Sequence, residues 1–101
     1  MDIHSEEFKE KIKEIIAKWV KLPHYRVFIF GSRAKGKSGI RSDIDIGIEA
    51  AGPIPGNIKL EIESEIAELP VLQKIDFVDF KEVSDDFKEI AMQNIEVIYE
   101  K

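Results

Sequence analysis

The sequence predicts an α/β (α+β) fold: a small mixed β-sheet with helices packed against it. Stretches with helical apolar spacing alternate with short stretches that are either unbroken apolar runs or strict apolar–polar alternations. Their order is α-β-turn-β-α-β-α with a last short strand, the pattern of a layered sheet-and-helix domain. The length, 101 residues, suits one domain over 1–101, burying roughly two-thirds of the unfolded surface.

Each element has its own signal. Ser5 can cap a first helix, with Glu6 and Glu7 in its positive first turn. Phe8, Ile12, Ile15, Ile16 and Trp19 then recur at helical spacing, and Leu22-Pro23 ends the helix. Tyr25 to Phe30 is nearly all apolar and reads as a strand buried on both faces. Asp43 to Glu49 alternates strictly and reads as a second strand. After a loop containing Gly52, Pro53, Pro55 and Gly56, Asn57 can cap a helix whose apolar face is Ile58, Ile62, Ile66 and Leu69. Pro70 stops it, and Lys74 to Phe80 is a third strand. Ser84 caps a last helix with Asp85 and Asp86 in its first turn, and Ile95 to Tyr99 forms a final short strand.

Composition narrows the function. The chain carries 15 Lys+Arg against 20 Asp+Glu, a formal net charge of −5. That excludes the whole-molecule basic field of a duplex-binding domain, so no bulk nucleic-acid binding is expected. Cysteine is absent, which excludes disulfides and thiolate metal sites. No apolar run approaches the ~20 residues that span a bilayer, and the acidic N-terminus lacks the basic and apolar regions of a signal peptide. A cytoplasmic protein with no membrane association is the expectation.

One segment is cationic. Between Gly31 and Asp43, Arg33, Lys35, Lys37 and Arg41 are interrupted by no acid. Gly31 to Ser38 matches the P-loop pattern G-x-x-x-x-G-K-[ST] letter for letter. A P-loop must open a long helix that crosses over to a parallel strand. Here Gly39 follows at once and a strand begins by Asp43, so the match is formal. The phosphate logic survives it: glycine lets backbone N–H groups approach an anion, and a turn starting at Ser32 would favour phosphate.

The carboxylates point further. Asp43 and Asp45 are two apart on a strand, so both leave the same face, while Ile44, Ile46 and Ile48 go to the core. Gly47 shares the carboxylate face and is expected to leave room beside the acids. Two carboxylates ~5 Å apart repel by roughly 3 kcal/mol at an effective dielectric near 20. Either water screens them or a cation neutralises them, and oxygen donors without His or Cys suit Mg²⁺ or Mn²⁺. A third acid comes from the third strand. Asp76 can approach the pair if that strand lies beside the second, and Asp79, on the opposite face, is the alternative.

These residues carry a resemblance. Gly31-Ser32, ten residues from Arg33 to Ser42, then Asp43-x-Asp45 resembles the signature of the DNA polymerase β-like nucleotidyltransferase superfamily. The stretch from Phe30 to Gly36, Phe-Gly-Ser-Arg-Ala-Lys-Gly, is most similar to the minimal nucleotidyltransferases, the MNT or MntA-like antitoxins, with Lys35 where Arg is common. Ile75-Asp-Phe-Val-Asp-Phe80 resembles the strand that carries the third carboxylate, at Asp76.

The resemblance implies a polymerase β-like nucleotidyltransferase fold and a Mg²⁺-dependent transfer of a nucleoside monophosphate, AMP from ATP, to a hydroxyl. Gly31 and Ser32 would hold the β,γ-phosphates, with Arg33, Lys37 and Ser42 completing the nucleotide-binding set. Asp43 and Asp45 would bind two Mg²⁺ ions. Asp76 would complete one metal site and help deprotonate the acceptor. The implied acceptor is a tyrosine of a HEPN-type toxin, which makes the chain antitoxin-like. The alternative is a nucleotide-binding subunit that neutralises its partner by complex formation without catalysis.

The remaining residues read as structural. Phe87, Ile90, Ile95, Val97, Ile98 and Tyr99 could form a partner surface or simply close the core. Tyr25 and Trp19 read as core, and His4 and His24 have no ligand-like neighbours.

Overall fold

A computed structural model describes residues 1–31 and 43–101, and these form three helices and four strands. They are α1 (Glu6–Trp19), β1 (Tyr25–Phe30), β2 (Ile44–Ala50), α2 (Gly56–Ala67), β3 (Ile75–Asp79), α3 (Asp85–Ala91) and β4 (Ile95–Glu100). The sheet order is β3-β2-β1-β4. β1 pairs antiparallel with both β2 and β4, while β2 and β3 are parallel and joined through α2. This is the mixed sheet expected from the element order. Antiparallel pairing of β1 with β2 also disposes of the P-loop, which needs a parallel crossover after its glycine-rich turn.

The two faces of the sheet are covered unequally. On one, Val27, Ile29, Ile44, Ile46 and Ile48 pack with Phe8, Ile12 and Ile16 of α1 and Ile62 and Ile66 of α2. On the other, Phe28 and Phe30 join Phe80 and Ala91 in a smaller cluster. β1 contributes to both, which is why it is apolar but for Arg26. Among the described residues, no helix is long and apolar enough to cross a membrane.

Two caps follow the expected chemistry. The hydroxyl of Ser5 accepts from Phe8 N–H, and that of Ser84 accepts from Phe87 N–H, each at 3.1 Å. The third differs. α2 starts at Gly56, one residue before Asn57, with Pro55 as its cap and no side-chain cap bond. Pro55 is already extended, and its carbonyl accepts from Ile58 and Lys59 N–H at 3.0 and 2.9 Å. The entry is held from outside the helix: Ile54 N–H donates to the Asp79 carboxylate at 2.8 Å. α2 ends at Ala67, so Leu69 lies beyond it, although it still packs against the larger core.

Candidate active site

Strand register builds the site. Asp45 on β2 is the direct partner of Phe30 on β1 and of Asp76 on β3. Phe30 in turn pairs with Ile95 on β4. One transverse row therefore crosses the sheet from Ile95 through Phe30 and Asp45 to Asp76. Side chains of register partners share a face, so the row lies on the face opposite α1 and α2. Parallel pairing of β2 with β3 is what sets the two carboxylates side by side. Asp43, exposed, stands just before β2.

The electrostatics are those of crowded acids. Burial pushes the Asp45 carboxyl above its ordinary value, and the charges of Asp76 and then Asp43 push it the same way. Among the described residues, Lys74 is the counter-charge to Asp76, at the outer limit of an ion pair at 3.9 Å. Among the described residues, no three His, Asp or Glu side chains close around a point that could hold a metal by themselves. The donor set is nevertheless of the right kind. Mg²⁺ is commonly held by one or two carboxylates, with substrate phosphates and water completing its shell. Three mutually repelling carboxylates on an open face match that requirement.

Asp76 and Asp79 separate as period-two geometry demands. Asp79 points to the opposite face, is only 2% exposed, and accepts from Ile54 N–H at 2.8 Å and Lys81 N–H at 2.9 Å. It anchors the connections that follow β2 and β3. It therefore stands across the sheet from Asp45, whereas Asp76 is the register partner of Asp45.

Gly31 closes the end of β1 in a left-handed conformation, φ +79°, and a Cβ there would lie 3.1 Å from Asp45 Oδ2. Only glycine takes this backbone without strain and keeps clear of the carboxylate. Gly47 does something other than expected. A Cβ on it would come within 2.5 Å of Phe80 and 2.8 Å of Phe28. The room at Gly47 is filled by two aromatic rings, not left open beside the acids. The four other expected nucleotide-binding residues, Ser32, Arg33, Lys37 and Ser42, lie outside the described residues, as do Lys35 and Arg41.

Residues 10–101 match the family model described as "Polymerase beta, Nucleotidyltransferase". The chain belongs to this nucleotidyltransferase family. A relative in Haemophilus influenzae named "Probable protein adenylyltransferase MntA" is 35% identical over all 101 residues, covering 86% of that protein. Among solved structures, a toxin–antitoxin crystallised with AMP-PNP superposes with a TM-score of 0.76 at 20% identity, over 92% of this chain and 73% of the other. The MNT antitoxin of Shewanella oneidensis, in complex with its tri-AMPylated HEPN toxin, gives 0.71 at 17% identity, over 96% and 74%. At that identity these two likenesses establish the polymerase β-like fold. Nucleotidyl transfer follows from family membership.

Other expectations divide. Ile95, Ile98 and Tyr99 pack against the cores, whereas Phe87, Ile90 and Val97 are exposed. Tyr25 is core, and Trp19 is partly buried with its indole N–H donating to Glu65. His4 pairs with Glu96 at 2.7 Å, tying the N-terminus to β4. Sequence reasoning missed a cluster on the carboxylate face: Glu49 takes Arg26 and Lys88, each at 2.8 Å, so α3 is tethered to β2. Its signal was the alternation itself, which puts Glu49 on the face of Asp45.

Proposed function

We propose that this protein is a Mg²⁺-dependent adenylyltransferase that moves AMP from ATP onto a tyrosine hydroxyl of a HEPN-type partner and so acts as an antitoxin. The observation that carries the reading is the in-register pairing of Asp45 with Asp76, with Asp43 beside them. Family membership supports nucleotidyl transfer. The name of the Haemophilus relative and the HEPN toxin bound to the Shewanella protein support the acceptor.

In this mechanism Asp43, Asp45 and Asp76 are the residues that would hold the metal. Two Mg²⁺ ions would neutralise the repelling carboxylates and the charge that develops on pyrophosphate. Gly31, with Ser32, Arg33, Lys37 and Ser42, binds the triphosphate. Asp76 takes the proton from the acceptor hydroxyl. The freed oxygen bonds to the α-phosphorus, the bond from that phosphorus to the β-bridging oxygen breaks, and pyrophosphate leaves with the electron pair. The product is an AMP ester of the acceptor.

The test uses ATP labelled on the α-phosphate, Mg²⁺, the purified protein and a lysate of the source organism. Label on one protein band with wild type and none with Asp43→Asn is the expected result. An unlabelled lysate would overturn the transferase in favour of the binding-only subunit. Equal labelling by both proteins would remove Asp43 from the site.

A further inference from the structure

We propose that the shallow apolar groove between Gly31 and α3 seats the aromatic ring of the acceptor, making Phe87 and Ile90 the residues that select a tyrosine. The inference rests on the transferase reading and adds an acceptor subsite to it. The groove has a volume of about 220 Å³ and is lined by Phe30, Gly31, Phe87, Ile90 and Ala91. One end opens on the carboxylates, because Gly31 adjoins Asp45 Oδ2 and Phe30 is the register partner of Asp45.

Three features choose the occupant. The first is size. A pocket of this volume falls below the ~300–1,000 Å³ of cofactor-sized sites and suits one ring better than a nucleoside. The second is polarity. Among the described residues, the side chains lining it are aromatic or aliphatic, with no donor or acceptor to read the edge of a base, while Asp45 adjoins Gly31 at the mouth. Charge complementarity then favours a ring that is apolar along its length and carries an O–H donor at its tip, which is a phenol. The third is aromatic geometry. Phe28 meets Phe80 edge-to-face at 5.0 Å, Phe80 meets Phe30 at 5.1 Å, and Phe30 meets Phe87 at 6.0 Å. The series ends on Phe87, 43% exposed, beside Ile90, 69% exposed. A further ring in the groove continues the series in its preferred geometry, with its hydroxyl directed at Asp45 and Asp76.

The test follows the Ile90 methyl by NMR in the full chain, with N-acetyltyrosinamide as the acceptor probe and α,β-methylene ATP with Mg²⁺ as the nucleotide probe. The methyl should shift saturably with the tyrosine probe and stay in place with N-acetylleucinamide. In transfer to N-acetyltyrosinamide, Ile90→Glu should raise the acceptor KM at least tenfold while kcat and nucleotide affinity stay within twofold. Ile90 is exposed, so this variant should keep the wild-type melting temperature. A methyl that responds to the nucleotide and not to tyrosine would make the groove a base site. One that responds to neither, or only to protein concentration, would make it inert or a self-association face. Each of these overturns the proposal. Saturable tyrosine binding without AMP transfer would instead overturn the transferase reading and leave the groove assignment standing.

Discussion

Gly31 and Asp45 lie side by side at the ends of β1 and β2: a Cβ on residue 31 would stand 3.1 Å from Asp45 Oδ2. Gly31 also has φ +79°. One residue thus meets a backbone demand and a steric demand together. The backbone must turn left-handed as it leaves the strand, and the carboxylate beside it must stay unobstructed. Gly31→Ala should therefore lose on two counts. Alanine at positive φ costs about 1 kcal/mol or more, read as a lower melting temperature. Crowding of Asp45 should reduce AMP transfer at least tenfold per folded molecule. Wild-type transfer in a destabilised Gly31→Ala protein would show that the contact does not matter to the chemistry.

Asp76 and Asp79 should respond in opposite ways to the same substitution. Asp79 is buried and accepts two backbone N–H bonds. An asparagine there turns one acceptor into a donor and leaves an N–H facing an NH₂. Asp79→Asn should lose about 1–3 kcal/mol in urea unfolding, with transfer per folded molecule retained. Asp76 is partly exposed beside Asp45. Asp76→Asn should keep the stability and abolish transfer. If Asp79→Asn were the inactive and stable member of the pair, the roles of the two acids would be reversed.

Acid crowding implies a trade between stability and function at Asp45. Burial and the Asp76 and Asp43 charges all disfavour its ionised form. With no cation added, Asp45→Asn should unfold at higher urea than wild type, by on the order of 0.5–1 kcal/mol, as expected when a site strained for function is relaxed. Adding Mg²⁺ with α,β-methylene ATP should raise the wild-type melting temperature and move the variant's much less, since a ligand stabilises only what it binds. A variant less stable than wild type without Mg²⁺ would mean that Asp45 makes a favourable contact that crowding does not describe.

The sequence was most legible where local rules and the tertiary fold agree. The alternation of Ile44, Ile46 and Ile48 against Asp45 and Glu49 assigned both faces of β2, because period two leaves no other choice. The same rule put Asp76 and Asp79 on opposite faces, but only pairing of β3 with β2 chooses between them as the partner of Asp45. That pairing is a non-local fact. The start of α2 was misplaced because Asn57 has the right side chain for a cap, while Asp79, more than twenty residues on, supplies the anchor instead. Gly47 was read as open space because its neighbours Phe28 and Phe80 arrive from β1 and from the end of β3. Local pattern cannot see residues that meet only in the folded state.

The tether between α3 and the sheet should give the protein an acid-sensitive component. Lys88 bonding chiefly, with Arg26 adding to it, holds the Glu49 carboxyl below its ordinary value of 4.5 against the opposing effect of burial. A carboxylate whose folded pKa is depressed stabilises the fold above its unfolded value and loses that contribution as pH falls through the folded one. The contribution is therefore complete at neutral pH and disappears below about pH 4.5. Lys88 and Glu49 are both about a third exposed or more, so solvent screening limits the pair to roughly 1 kcal/mol at most. Lys88→Met should accordingly be less stable than wild type at pH 7 by that amount or less, and the gap should narrow as pH falls below about 4.5. Because Lys88 follows Phe87 on α3, the same variant should also loosen the acceptor groove and raise the KM for N-acetyltyrosinamide a fewfold at neutral pH. A stability gap that persists unchanged at pH 3 would trace the effect to packing of the lysine stem instead of its charge.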